Sequence, residues 1–314
     1  MVLPVTMGVT INFSDGPAYA QAMILDQGLL GTNVLANNAA IIIDYAAQST
    51  QIATRRTRDL INDIYNTGTA TVKILDPDGD FNPSNTLSPI YGFVKPLRKI
   101  QITATFSSIT YTLFSGYISE YKFTYPEGEE IAFVTVTAFD AFKIFNLAYI
   151  TTVSDATLGQ DTGTRIDKIL NEIEWPSSMR SISTGNTTCI ADTGTSRTGL
   201  QAIRVAEFSE LGAFYLDGAG NAIFKNRTQT IETAAGTPTV FNQTGGIDYA
   251  NLKFSLDDKL LINQANITRA GGTTQTVTNS DSVDTYFLHS LNSTNLIMQT
   301  DADALNVAQL YVAS

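Results

Sequence analysis

The chain is written in short two-residue alternations, each cut off by residues that turn the backbone. Thr69-Ala70-Thr71-Val72-Lys73-Ile74-Leu75 puts residues 70, 72 and 74 on one face of an extended strand. It stops at Asp76-Pro77-Asp78-Gly79-Asp80, where aspartate, proline and glycine each favour a turn for a different reason. The stretch 5–13 alternates around Val9, Ile11 and Phe13, and 97–106 around Ile100, Ile102 and Ala104. Two further strands, 111–123 and 131–138, are joined by Pro126-Glu127-Gly128-Glu129. The sequence has 42 threonines and 22 glycines, a mixture that favours strands and turns over helices.

Helical spacing appears in only a few places. A short helix is expected over 140–147, with Asp140 near its cap and Phe142 and Phe145 on its apolar side. Ile166, Ile169, Leu170 and Ile173 predict a helix over 165–173, ended by Trp175-Pro176. Another is expected over 199–211, stopped by Gly212, and is followed by a hairpin over 213–224 with a glycine-rich turn. From about 250 the pattern returns to strands, at 252–256, 260–268 and 273–278, before a last helix over 301–312. The expected class is mainly β with some α (α+β). At roughly 150 residues per domain, 314 residues suggest about two. The character of the chain changes near 151 and again near 240.

The composition excludes several classes of function. Net charge is −11, and the only basic knot is Arg55-Arg56-Thr57-Arg58, so no basic groove for nucleic acid is expected. That knot reads either as a solvated loop or as a contact to an acidic neighbouring subunit, where bidentate arginine is favoured. One cysteine, Cys189, and one histidine, His289, leave no disulfide framework and no thiol or multi-histidine metal centre. His289 follows Tyr286-Phe287-Leu288 and reads as a surface or interface residue rather than a catalytic base. The longest apolar run, 39–43, is far short of the ~20 residues that span a bilayer. No positive side chain precedes Arg55, so no export signal is expected.

Asp76, Asp78 and Asp80 alternate oxygens in a turn and invite a calcium reading. Phe81 stands where a calcium loop needs glycine, and Leu87 where it needs glutamate, so a structural turn is the better reading. Gly212, Gly218 and Gly220 lie in a hairpin and make no dinucleotide loop. Gly194-x-Ser196 lacks the rest of a nucleophile elbow. Glu127, Glu129 and Glu130, like Asp257-Asp258, read as solvated turn charges. No catalytic pair, cofactor or metal is expected.

The order of the segments resembles the tail hub, or minor tail, proteins of tailed bacteriophages, the baseplate hubs among them. The likeness is carried by the strand 68–75 with Asp78-Gly79-Asp80-Phe81-Asn82-Pro83-Ser84-Asn85, by Phe114-Ser115-Gly116-Tyr117-Ile118, and by the run 134–142 from strand into helix. The helix 200–212 with its hairpin to Arg227, then 263–269, and Asp301-Ala302-Asp303-Ala304 opening a helix continue it. These matches span roughly residues 53–312. The resemblance implies two tube-like β domains of barrel or sandwich type, 1–150 and 241–314, with a small α+β domain, 151–240, inserted between them. Family members continue past the last helix, so the second β domain is expected to be incomplete at its C-terminal end. It also implies a homotrimeric ring at the tail tip of a virion, assembled in the bacterial cytoplasm. Such a ring joins the tail tube to tip or fibre proteins, and DNA passes through it without specific binding. In an acidic ring, carboxylates lining the lumen would repel phosphates. Two other classes compete. A carbohydrate- or receptor-binding β-sandwich calls for an aromatic platform and an export signal, against a single Trp175 and no signal. A tail-associated hydrolase calls for a catalytic pair.

Overall fold

The computed structural model describes residues 5–13, 41–59, 64–127, 131–234, 236, 239–241, 247, 249, 251, 253 and 258–313. The fold is mainly β with α-helices. The first part holds β1 (Thr6–Asn12), β2 (Ile42–Asp44), β3 (Ser49–Arg55), β4 (Arg58–Asp59), β5 (Ile64–Tyr65), β6 (Thr69–Leu75), β7 (Lys99–Phe106), β8 (Ile109–Thr124) and β9 (Phe133–Phe139). Seven of these form one sheet in the order β2-β1-β7-β8-β9-β6-β3, and β4 and β5 make a separate ribbon. Alternation does what the sequence predicts. Ala70, Val72 and Ile74 pair in register with Ala138, Val136 and Val134, and all six are buried.

The connection between β2 and β3 shows how this sheet is shaped. These strands are its two edges, yet only residues 45–48 separate them. Five Cα steps reach at most about 18 Å, whereas the edges of a flat seven-stranded sheet would lie about 29 Å apart. The sheet must therefore curl until its edges approach. Tyr45 N–H donates to the Val9 carbonyl at 2.7 Å on one side, and Leu75 N–H donates to the Gln48 carbonyl at 2.9 Å on the other. The roll is closed by this short link, not by a ladder between β2 and β3 among the described residues. It wraps a single core in which Val9, Ile11, Ile100, Ile102, Phe114, Val134 and Val136 are all inaccessible. The 76–90 segment stoppers this core with Phe81 and Ile90. Phe81 lies 5.1 Å from the Tyr45 ring and 6.1 Å from Phe13.

The next part holds α1 (Ala141–Leu147), β10 (Tyr149–Ile150), α2 (Thr162–Glu172), β11 (Arg180–Ile182), β12 (Arg197–Thr198), α3 (Gly199–Glu210), β13 (Ala213–Leu216), β14 (Ala222–Lys225) and α4 (Arg227–Ala234). Its core gathers Phe142, Phe145, Ile166, Leu170, Trp175, Ile203 and Phe214, and it also takes Tyr117 from β8. Helix α2 begins three residues before its predicted start. Asp161 caps it by accepting from Thr164 N–H at 3.0 Å, so the polar first turn is fixed by the cap rather than by apolar spacing. Helix α4 has no apolar period and was not foreseen.

The last part holds β15 (Gln264–Arg269), β16 (Gln275–Thr278), α5 (Ser280–Tyr286), β17 (Ser290–Leu296) and α6 (Asp301–Ala313). The sheet runs β16-β15-β17, with β15 and β17 parallel. Helix α6 covers one face through Ala304, Val307 and Ala308 against Ala265, Ile267, Leu296 and Met298. The strand expected over 260–268 begins only at Gln264, and 252–256 falls outside the described residues except Lys253. No helix among the described residues is long and apolar enough to cross a membrane.

Candidate assembly surfaces

The arginine knot sits where the first sheet meets the middle part. Arg55 ends β3, Arg58 opens β4, and all three arginines are exposed. Arg56 donates to the Asp217 carbonyl at the tip of the β13–β14 hairpin. Arg58 lies over the Tyr65 ring at 5.4 Å, and Tyr65 in turn meets the Tyr215 ring at 5.1 Å. From the other side Arg204 on α3 donates to the Tyr65 carbonyl and lies over Phe142 at 4.9 Å. Two of the three arginines thus already make contacts within the chain. Arg55 stands on the edge strand β3, in register with Thr69. The hairpin tip approaches so closely that a Cβ on Gly218 would lie 2.0 Å from the Thr112 carbonyl oxygen on β8.

Asp140 lies behind this joint and is 3% exposed. Its carboxylate accepts from Gly68 N–H at 2.6 Å and from Phe142 N–H at 3.1 Å, linking β6 to the start of α1. Burial pushes the carboxyl up to about 6, against these hydrogen bonds and against Arg56 and Arg204, which favour the charged form.

The other candidate residues do not converge. Asp76 is buried and spends its carboxylate on the turn itself, accepting from Asp80 N–H at 2.7 Å and Phe81 N–H at 3.2 Å. Asp78 is exposed and Asp80 half-buried. Among the described residues no group of three His, Cys, Asp or Glu side chains is arranged to hold a metal. His289 is half-buried, with its Nε2 3.0 Å from the Tyr286 carbonyl. Cys189 is buried, which pushes its thiol up to about 12 and makes it unreactive. Glu127 and Asp258 are exposed, and Glu129, Glu130 and Asp257 lie outside the described residues.

Two apolar surfaces were not foreseen. The β7–β8 hairpin runs beyond the core and leaves Phe106, Ile109 and Tyr111 exposed near its tip. Tyr286, Phe287 and Leu288 are also exposed, with Phe287 at φ 63° and ψ 177°, a region a phenylalanine rarely enters. Buried Asn263 pins this turn, donating to the Phe287 carbonyl at 2.7 Å and accepting from His289 N–H at 2.8 Å. The run Tyr-Phe-Leu was the available signal, but alternation alone cannot tell an exposed triplet from a strand.

The fold made by these elements is similar to that of a solved tail protein. Over 98% of its length the chain is similar to the tail protein from Neisseria meningitidis MC58, covering 75% of that chain at a TM-score of 0.52 and 10% identity. The prophage tail protein gp18 from Listeria monocytogenes EGD-e is matched over 96% of this chain and 77% of its own, at 0.49 and 8% identity. The prophage MuSo2 43 kDa tail protein from Shewanella oneidensis is matched over 87% and 74%, at 0.47 and 13% identity. At such identities the likeness is one of fold. No family model and no curated protein matches the sequence.

Proposed function

We propose that the chain is a structural subunit of a phage-type tail, acting as a hub at the tail tip. The observation that carries this reading is the fold shared with a tail protein over 98% of the chain. Three copies would form a ring that joins the tail tube to tip or fibre proteins and encloses the DNA channel. The ring would belong to the virion and assemble in the host cytoplasm. Residues 1–150 and 241–314 would be its tube-like β domains and 151–240 the inserted unit. Two separate sheet cores with a helical core between them support that division. The role asks for no catalysis and no cofactor.

Arg55 is exposed on the edge strand β3 and would meet carboxylates of the next copy. Negative-stain microscopy of the concentrated chain, alone and with tail-tube protein, tests the reading. Three-fold rings with a central hole are expected, and Arg55→Glu should reduce their number while leaving the melting temperature nearly unchanged. A closed dimer without a channel would overturn it.

A further inference from the structure

We infer that Tyr286-Phe287-Leu288 is a preformed plug for a second protein, one that offers an apolar socket rimmed by lysine or arginine. Such a contact needs no ring and no channel. The three side chains lie at the end of α5 and are all exposed, Phe287 to 86%. Among the described residues none of them packs against the last core, and α5 itself buries no residue. Folding therefore gains little from this cluster, while its contact with water is unfavourable.

The backbone also works against a phenylalanine here. Phe287 holds φ 63° and ψ 177°, a conformation nearly confined to glycine. It stays there because Asn263, itself buried, clasps the turn from the residue before β15. The Asn263 side chain donates to the Phe287 carbonyl at 2.7 Å and accepts from His289 N–H at 2.8 Å. Its backbone completes the clasp. The Asn263 N–H donates to the His289 carbonyl at 3.1 Å, and its carbonyl accepts from Asn279 N–H at 2.9 Å, just before α5. His289 Nε2 adds a contact to the Tyr286 carbonyl at 3.0 Å. One buried asparagine thus fixes both ends of the segment 279–289, with the phenylalanine ring carried outward. A ring on a fixed backbone loses little freedom when it enters a pocket, as an interface anchor requires.

Charge selects the socket. Asp281 and Asp284 are exposed on α5, the helix that leads into the triplet. From 270 to 314 the sequence has four aspartates and neither lysine nor arginine. Further back, exposed Asp258 and Lys259 offset one another. The apolar plug is thus bordered by carboxylates, and its partner must match both features. A lipid surface matches poorly, since anionic headgroups repel these aspartates. The phosphates of a nucleic acid meet the same repulsion. A second copy brings a net charge of −11 and sets like against like. A neighbouring protein with lysine or arginine around an apolar pocket satisfies plug and border together. The ring fills the pocket, and the carboxylates steer the approach and fix the orientation.

Photocrosslinking from the plug, with binding and melting measurements on the full chain, tests the assignment. The chain is made with p-benzoylphenylalanine in place of Phe287, together with the products of its neighbouring genes. After irradiation the crosslinked peptide is sequenced by mass spectrometry. The expected product joins position 287 to one other protein, at an apolar segment with lysine or arginine beside it. The purified pair should bind roughly thirtyfold more weakly with Phe287→Gly. Asp281→Asn with Asp284→Asn should slow association severalfold at low salt and flatten its salt dependence. Phe287→Gly should nevertheless melt no lower than wild type, because glycine relieves the backbone strain and no core contact is lost. Lost binding with retained stability separates an anchor from a structural residue. Leu288 carries the probe if position 287 does not tolerate it. A crosslink to a second copy, to lipid or to an acidic protein surface overturns the assignment, as does no crosslink from either position. So does a Phe287→Gly chain that melts several degrees lower.

Discussion

Asp140 shows how one side chain can serve two elements and cost the fold something at neutral pH. An aspartate ordinarily titrates at 3.8, and this one is raised to about 6 by its burial. Between those values the folded chain keeps a proton that the unfolded chain has lost. Its contribution is therefore fully present below 3.8 and is lost as pH rises through about 6. Two pH units correspond to roughly 3 kcal/mol. Asp140→Asn cannot ionise and keeps an acceptor for Phe142 N–H, while it turns an amide toward Gly68 N–H. The stability of wild type minus that of the variant should fall by roughly 3 kcal/mol between pH 4 and pH 7, measured by chemical denaturation. A constant difference would mean that the two N–H groups keep the carboxylate ionised throughout. Asp76 teaches a related lesson about reading sites. Alternating aspartates look alike in a sequence, but only the fold reveals that one is buried and occupied by its own turn.

The elements that were legible are those whose cause is local. Helix α3 is bounded by a capping box, in which Thr198 Oγ1 accepts from Gln201 N–H at 3.2 Å and the Gln201 side chain accepts from Thr198 N–H at 2.9 Å. Thr198→Ala should cost about 1 kcal/mol and lower the melting temperature by about 2 °C, while Thr198→Ser should restore both. Loss of nothing measurable would mean that tertiary packing alone holds the first turn. Strand β6 and helix α1 were foreseen nearly to the residue because alternation, turn chemistry and a cap coincide there. Strand β17 was invisible because Ser-Leu-Asn-Ser-Thr-Asn-Leu has little β-branched character, and its extended form comes from parallel pairing with β15, a non-local partner. Helix α5 buries no residue and had no apolar period to detect. Sheet order was equally hidden, since β1 pairs with β7 across a long stretch of chain. The same holds for the candidate surfaces. The arginine knot could be named from sequence, but its partners Asp217 and Tyr65 are brought to it only by the fold.

At the scale of the whole molecule, the three cores are joined by shared elements rather than by linkers. Strand β8 lends Tyr117 to the middle core, and α3 belongs to two cores at once. Ala202, Ile203 and Ala206 face the middle core, while Phe208 packs against the last one. Ser209 is buried on the same helix. Its hydroxyl donates to the Val205 carbonyl at 2.7 Å and accepts from Ile297 N–H at 2.9 Å, just after β17. A second tie runs beside it, where Ile190 N–H donates to the Ile297 carbonyl at 2.8 Å and Gln299 N–H to the Thr188 carbonyl at 2.9 Å. Ser209→Ala removes the first tie without changing the shape of the core and leaves Ile297 N–H without its acceptor, a cost of about 1–3 kcal/mol. Among the described residues the last core is the smallest of the three, with seven buried side chains, so it should open before the others. Native-state hydrogen exchange checks this directly. Amides of β15 and β17 should exchange about tenfold faster in the variant for each ~1.4 kcal/mol lost, while those of β1 and β7 keep their wild-type protection. Equal acceleration in β1 and β7 would show that the three cores unfold as one cooperative unit. In that case α3 would be the spine of the molecule rather than a hinge between parts that can open separately.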